Sequence, residues 1–372
     1  MTVTSRFRIG IGMAADWRAA VGDCLQQIGN VGGNVGFVYI TDRLADDLDA
    51  ILAELKRGTG IDTWTGTVGL GVCATGTELF DRPALVAMVG ELPEGSYALF
   101  DSKRDQPEVF AAAHADWHNG ASMPFGVIHA DPRNPDAIDA IGTLAQATGS
   151  YLVGGLASSR GPHPLIAGGI GEGGLSGLML SGDVAVSTAL TQGCSPVGEP
   201  HTVTAAERNI VIELDGRPAL EVMKEDIGEL LARDLSKLAG YIFAALPVAG
   251  TDWNDYLVRN LAGIDPNQGL VAIGDTVTVG QSLMFCRRDR ATAAEDLSRM
   301  LAKLKRGLDG EPRGALYHTC LARGPNMFPG ESAELGAIKD ALGDVPLVGF
   351  FGNGEIANAR LYSYTGVLTL FL

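Results

Sequence analysis

Three times along the 372-residue chain the same order of apolar runs returns, and this repeat limits the fold more than any other feature. Residues 35–40 read as a strand, 42–57 as a helix and 63–68 as a second strand. A glycine-rich loop then leads to a third strand at 84–89. The series restarts at 125–129, with a helix over 135–148 and strands at 151–157 and 175–180. It restarts again at 315–322, with a helix over 331–342 and strands at 347–351 and 364–371. The strand after each helix carries a glycine near the start of the loop: Gly66, Gly154 and Gly349. One such strand–helix–strand–strand unit leaves an apolar sheet face bare, so the copies are expected to pack together around a shared core.

The pattern therefore predicts an α+β protein of mixed sheets covered by helices, in two intimately packed domains. A lead-in over 1–33 is followed by domains over 34–200 and 201–372, with no proline- or serine-rich linker between them. The first helix places Leu44, Leu48, Ile51, Leu52 and Leu55 on one face. A further helix over 292–306 opens with Thr292-x-x-Glu295, a capping-box pattern. With strands at 270–273 and 282–287, it reads as the leading part of a partner to the third copy.

Composition narrows the function classes. Glycine takes 50 positions without a collagen period, clustered where strands should turn. A formal charge of −16 repels phosphate backbones and anionic lipid, which argues against nucleic acid and membrane as partners. The five cysteines, Cys24, Cys73, Cys194, Cys286 and Cys320, form no C-x-x-C pair, which points to a reducing, cytoplasmic compartment. The N-terminus lacks a basic-then-apolar signal pattern, and the longest uncharged run, 140–159, is too polar for a membrane span.

Gly10-Ile11-Gly12-Met13-Ala14-Ala15 matches the dinucleotide pattern G-x-G-x-x-A, which leaves a nucleotide-dependent oxidoreductase as one alternative reading, beside a purely structural interaction protein. Against it, Asp16 would stand at the following helix N-terminus and repel the pyrophosphate. The run 169–174 reads as a glycine hairpin. His114 and His118 stand four apart, but the glutamate of a zinc-protease helix is missing between them. A haem would need a single axial His or Cys, and six histidines and five cysteines are available.

The C-terminal third is richer in polar groups. Cys320-Leu321-Ala322-Arg323-Gly324 ends one strand with a cation beside a glycine, two residues beyond His318. Asn353-Gly354-Glu355 follows another on a glycine loop. If the two strands are neighbours, Arg323 and Glu355 meet at one rim and hold the two ends of a zwitterion, or else pair with each other. The candidate ligand-binding residues are Arg323, Asn353 and Glu355, with Cys320 and His318 behind them; no catalytic set is nominated.

These residues also carry a resemblance. Arg82-Pro83-Ala84-Leu85, Gln192-Gly193-Cys194-x-Pro196-x-Gly198, Asp215-Gly216-Arg217-Pro218-Ala219-Leu220 and Arg259-Asn260-Leu261 follow the order seen in FIST N and FIST C domains. So do Cys320-x-x-Arg323-Gly324 and Pro346-Leu347-x-Gly349-Phe350-x-x-x-Gly354-Glu355-Ile356. The chain thus resembles the FIST (F-box and intracellular signal transduction) family, FIST N over 34–200 and FIST C after it. The resemblance implies a sensory domain that binds a small ligand, such as an amino-acid-like metabolite. Some stand-alone relatives carry haem, sense nitric oxide and act on a separate histidine kinase. Ser195 stands where an arginine is common, and Tyr362-Ser363 where His-Asn or His-Gly is common, so a contact made by those side chains is absent here.

Overall fold

The computed structural model describes residues 6–30, 32–119, 122–228, 238, 240–248 and 255–372. Residues 1–5, part of the segment read for a signal pattern, lie outside them.

Each copy of the repeat folds as the sequence predicts, with a further strand and helix at its front. The first runs β1 (Arg8–Gly12), α1 (Trp17–Ile28), β2 (Val35–Thr41), α2 (Leu48–Thr59) and β3 (Trp64–Gly69). The hairpin β4 (Gly71–Ala74) and β5 (Thr77–Phe80) follows, and β6 (Leu85–Gly90) ends the copy. The second runs β7 (Tyr97–Asp101), α3 (Pro107–Ala113), β8 (Phe125–Ala130), α4 (Ala137–Thr148) and β9 (Tyr151–Leu156). Its hairpin is β10 (Leu165–Ala167) and β11 (Ile170–Gly171), before β12 (Leu175–Leu180). The third opens with β13 (Val186–Gln192) and is then interrupted.

The interruption is a compact unit of its own, Gln192–Asp296. It contains β14 (Cys194–Glu207), β15 (Ile210–Leu214), β16 (Arg217–Pro218), α5 (Ala219–Ile227), β17 (Ile242–Pro247), β18 (Tyr256–Asp265), β19 (Leu270–Ile273) and β20 (Ser282–Arg288). These strands form one seven-stranded sheet, and an extra β14–β15 pairing closes it on itself. The closure is possible because β14 is long and shifts register at Val197/His201, Val203/Ala205 and Ala205/Ala206, bends that let it serve both sides. Leu214, Met223, Ile242 and Phe285 fill its core. The strands at 270–273 and 282–287 thus belong to this sheet; they are not the start of a partner to the third copy.

The third copy resumes with α6 (Arg290–Arg306), β21 (Gly314–Cys320), α7 (Ala333–Leu342) and β22 (Leu347–Gly352). It ends on the hairpin β23 (Glu355–Ala357) and β24 (Arg360–Tyr362), then β25 (Thr365–Phe371). Helix α6 begins two residues earlier than the capping-box reading. Asp289 Oδ1 accepts the Thr292 N–H at 2.8 Å, so Asp289 holds the cap and Thr292 lies inside the first turn. After residue 296 the chain returns to the first unit, Met1–Thr191 with Leu297–Leu372.

Within that first unit the pairing is cyclic. In every copy the strands flanking the helix are parallel neighbours, β2 with β3, β8 with β9 and β21 with β22. A helical crossover returns the chain in the same direction, which is why the pairs are parallel. The last strand of each copy lies antiparallel on the other side of the first: β6 on β2, β12 on β8, β25 on β21. Each hairpin then leaves its own copy. Strand β4 pairs with β22 of the third, β10 with β3 of the first, and β23 with β9 of the second. The exchange closes a circle, so no copy completes its six-stranded sheet alone.

The shared glycines have a steric cause. Gly66, Gly154 and Gly349 face Val38, Ile128 and Tyr317 across the parallel pairs. A Cβ there would stand 1.7, 1.8 and 1.8 Å from the facing carbonyl oxygen, so only glycine fits. Apolar helix faces cover the sheets: Val21, Cys24, Ile51 and Leu55 pack with Trp64 on the first, and Ile141 and Leu144 with Phe100 and Phe110 on the second. Among the described residues no helix is long and apolar enough to cross a membrane.

Candidate functional site

Past the end of β21 the chain turns through residues 321–323 into a short 3₁₀ segment, Gly324–Asn326, and then into α7. This turn buries Arg323 completely. Its Nε donates to Glu334 Oε1 at 2.7 Å, and Nη2 lies 2.6 Å from the same oxygen, close enough for charge pairing but without an aligned hydrogen bond. The Tyr317 hydroxyl also donates to Glu334 Oε1 (2.7 Å), and the Gly324 N–H to Oε2 (3.0 Å). Burial opposes the guanidinium charge, yet Glu334 and Tyr317 outweigh it and hold the Arg323 pKa above its ordinary value. The Phe328 ring lies 5.1 Å from the guanidinium carbon. Arg323 is therefore paired with Glu334, and the expected partner Glu355 is a neighbour rather than its counter-ion.

Glu355 opens β23 and is also fully buried. Its Oε2 accepts from the Thr365 hydroxyl (2.7 Å) and N–H (3.2 Å), while Oε1 has no hydrogen-bond partner among the described residues. Burial pushes its pKa up to about 8, with Thr365 and Arg323 opposing the rise. The nearby Cys320 thiol is raised as well, first by burial and then by the Glu355 charge. A third carboxylate, Glu78 from β5 of the first copy, accepts the Glu334 and Leu335 N–H groups (3.1 and 3.2 Å) and so caps α7 from another copy. Its pKa rises to about 7, chiefly through burial. The cluster thus sets one guanidinium against three carboxylates. Burial raises the pKa of two of these, Glu78 and Glu355, toward or above neutral.

His318 looks the other way, to the centre of the first unit. Tyr39, His129 and His318 each stand fifth in the first strand of their copies, β2, β8 and β21. The cyclic pairing brings them together: the Tyr39 hydroxyl lies 3.1 Å from His129 Nε2 and 2.9 Å from His318 Nε2. Phe350 stacks on Tyr39, and all four rings lie within 6 Å of one another. One hydroxyl proton cannot serve both imidazoles, so at least one imidazole is protonated on Nε2 and donates. Both Nδ1 atoms lack partners among the described residues. Burial presses the His318 pKa down to about 3 and holds His129 well below its usual value, with His318 adding to the effect.

Haem does not fit the candidate ligands as they stand. His318 Nε2 is engaged by Tyr39 inside a packed ring cluster, and the thiolate that Cys320 would have to supply is disfavoured by burial. His114 and His118 border a cavity of only about 10 Å³. Two open clefts of about 400 and 490 Å³ flank residues 102–107, but they lie away from this polar cluster and bring no buried unpartnered group to bear.

Of the other sequence candidates, Asn353 is exposed and its Nδ2 donates to the Ala157 carbonyl (3.0 Å), tying the β22–β23 turn to the second copy. The dinucleotide-like loop is used for packing. A Cβ at Gly10 or Gly12 would stand 2.1 or 2.0 Å from the Cys24 or Ala20 carbonyl oxygen of α1, and Asp16 Oδ1 caps that helix through the Arg18 N–H. Sequence reasoning missed Glu334, Tyr317, Glu78, Tyr39 and His129. For Tyr39 and His129 a signal existed, since aligning the three copies places them opposite His318.

Comparison with known proteins divides the chain at residue 218, inside the compact unit Gln192–Asp296. The FIST N domain model matches residues 34–217 and the FIST C domain model residues 219–358. The chain is 30% identical to the uncharacterized protein Rv0628c of Mycobacterium tuberculosis, over 99% of this chain and 100% of that one. It is likewise 30% identical to the uncharacterized protein Mb0898c of Mycobacterium bovis, over 89% and 88% of the two chains. The chain belongs to the FIST family, with both its N and C domains. FIST domains are associated with signal transduction and small-ligand sensing.

Proposed function

We propose that this protein is an intracellular sensor that binds a small amino-acid-like metabolite in the polar cluster around Glu355 and Arg323. It reports occupancy to a separate signalling protein, such as a histidine kinase. The observation that carries the reading is the unpartnered Oε1 of Glu355, a fully buried carboxylate oxygen beside a cation already neutralised by Glu334. A buried polar atom without a partner costs about 1–3 kcal/mol, and a ligand that partners it would recover that cost. The cluster joins Glu78 of the first copy to the third, while Asn353 ties the third copy to the second. A ligand there would favour one arrangement of three interlocked copies over another, which is what a sensor needs.

The test is a melting-temperature panel of amino acids, amines and small organic acids on the full chain and on Glu355→Gln. At least one compound should raise the melting point of the native protein by several degrees, as roughly 100-fold saturation would. The same compound should leave Glu355→Gln unmoved. Equal stabilisation of both proteins by every active compound would remove Glu355 from the site.

A further inference from the structure

Resting on that reading, we infer that the group recognised by Glu355 is a cation, so the ligands are small primary amines whether or not they carry a carboxylate. Arg323 is the natural grip for a carboxylate, but Glu334 already takes its Nε and lies 2.6 Å from Nη2. An incoming carboxylate would have to displace Glu334, whose own oxygens are also held by Tyr317 and Gly324. Both members of this pair are fully buried, so breaking it would strand a charge.

Glu355 is in the opposite condition. It has one oxygen satisfied by Thr365 and the other bare, and the charges that act on it are Arg323, already paired with Glu334, and Glu334 itself, with the Cys320 thiol beside them. An ammonium brings three donors and the missing positive charge, whereas a second anion brings neither.

Binding also moves a proton. Glu355 holds its carboxyl proton near neutral pH because of burial, and an adjacent ammonium favours the ionised form, so that proton passes to solvent while the ligand keeps its own.

The experiment is calorimetric titration of the full chain at pH 7 with propylamine, its N-acetyl derivative and propionate, in two buffers of different ionisation enthalpy. Propylamine should bind with release of close to one proton, and neither of the other compounds should bind. Glu355→Gln should weaken propylamine about tenfold or more, while the native-protein proton count needs no variant at all. Binding of propionate or the amide with the same Glu355 dependence would overturn the cation assignment and leave the ligand site standing. Propylamine binding without proton release, or undiminished in Glu355→Gln, would also overturn it. Silence of propylamine while the metabolite panel holds a stabiliser overturns this inference alone; silence of both overturns the sensor reading too.

Discussion

Replacing Arg323 with alanine should destabilise the protein by about 3–5 kcal/mol, the cost of stranding one member of a buried ion pair. Arg323 and Glu334 are both fully buried. Without the guanidinium, the Glu334 carboxylate keeps only the Tyr317 hydroxyl and the Gly324 N–H, too little to hold a charge away from water. The loss should appear as a lower urea midpoint with an unchanged slope. The double variant Arg323→Met with Glu334→Gln should recover most of it, because removing both charges leaves nothing to neutralise. An Arg323→Ala protein within about 0.5 kcal/mol of the native one, the range of ordinary surface changes, would contradict the buried-pair account.

The second large effect is a pair of opposite pH dependences. His318 takes up a proton near pH 6.5 when unfolded but only near pH 3 when folded. Below pH 6.5 the unfolded state therefore binds more protons, and this imidazole's contribution to stability is lost as the pH falls. Relative to His318→Gln, the native protein should lose about 1.4 kcal/mol per pH unit between pH 6 and 4. Glu355 behaves the other way. Its folded pKa near 8 lies above the ordinary 4.5, so the folded state holds the extra proton and stability is lost as pH rises through 8. Relative to Glu355→Gln, the native protein should gain on acidification from pH 8 to 5 at a similar slope. Unfolding free energies of the three proteins across pH 4–9 check both slopes; parallel curves would show that neither group is held as the packing requires.

Much of the architecture was legible in the chain because a repeat is a strong signal. Apolar periodicity and turn glycines located the strand–helix–strand–strand units, and Gly66, Gly154 and Gly349 proved to be the points of closest backbone approach. Hairpin exchange was not legible. Strands such as β10 and β11 are three and two residues long, and β4 finds β22 more than 270 residues away, a pairing that no local pattern encodes. Helices α3 and α5, seven and nine residues long, are too short for periodicity to separate from loop.

The site was legible in part for a similar reason. Arg323 and Glu355 stood out as charges next to glycines at strand ends, and the fold brings both, with Cys320, into one cluster. Glu334 sits in the first turn of α7, where an acid ordinarily serves the helix dipole in solvent, so nothing marked it as the partner of Arg323. Glu78 reaches α7 from another copy. Tyr39 and His129 read as strand residues until the three copies are superposed, when they fall beside His318.

Hydrogen–deuterium exchange of the full chain, with and without the most stabilising compound of the metabolite panel, tests the central claim most directly. The account predicts slowed exchange over residues 320–324, 353–357 and 364–366, the three segments that meet at Glu355. Protection confined to residues 98–114 or to 192–296, with those segments unchanged, would place the ligand elsewhere and contradict it.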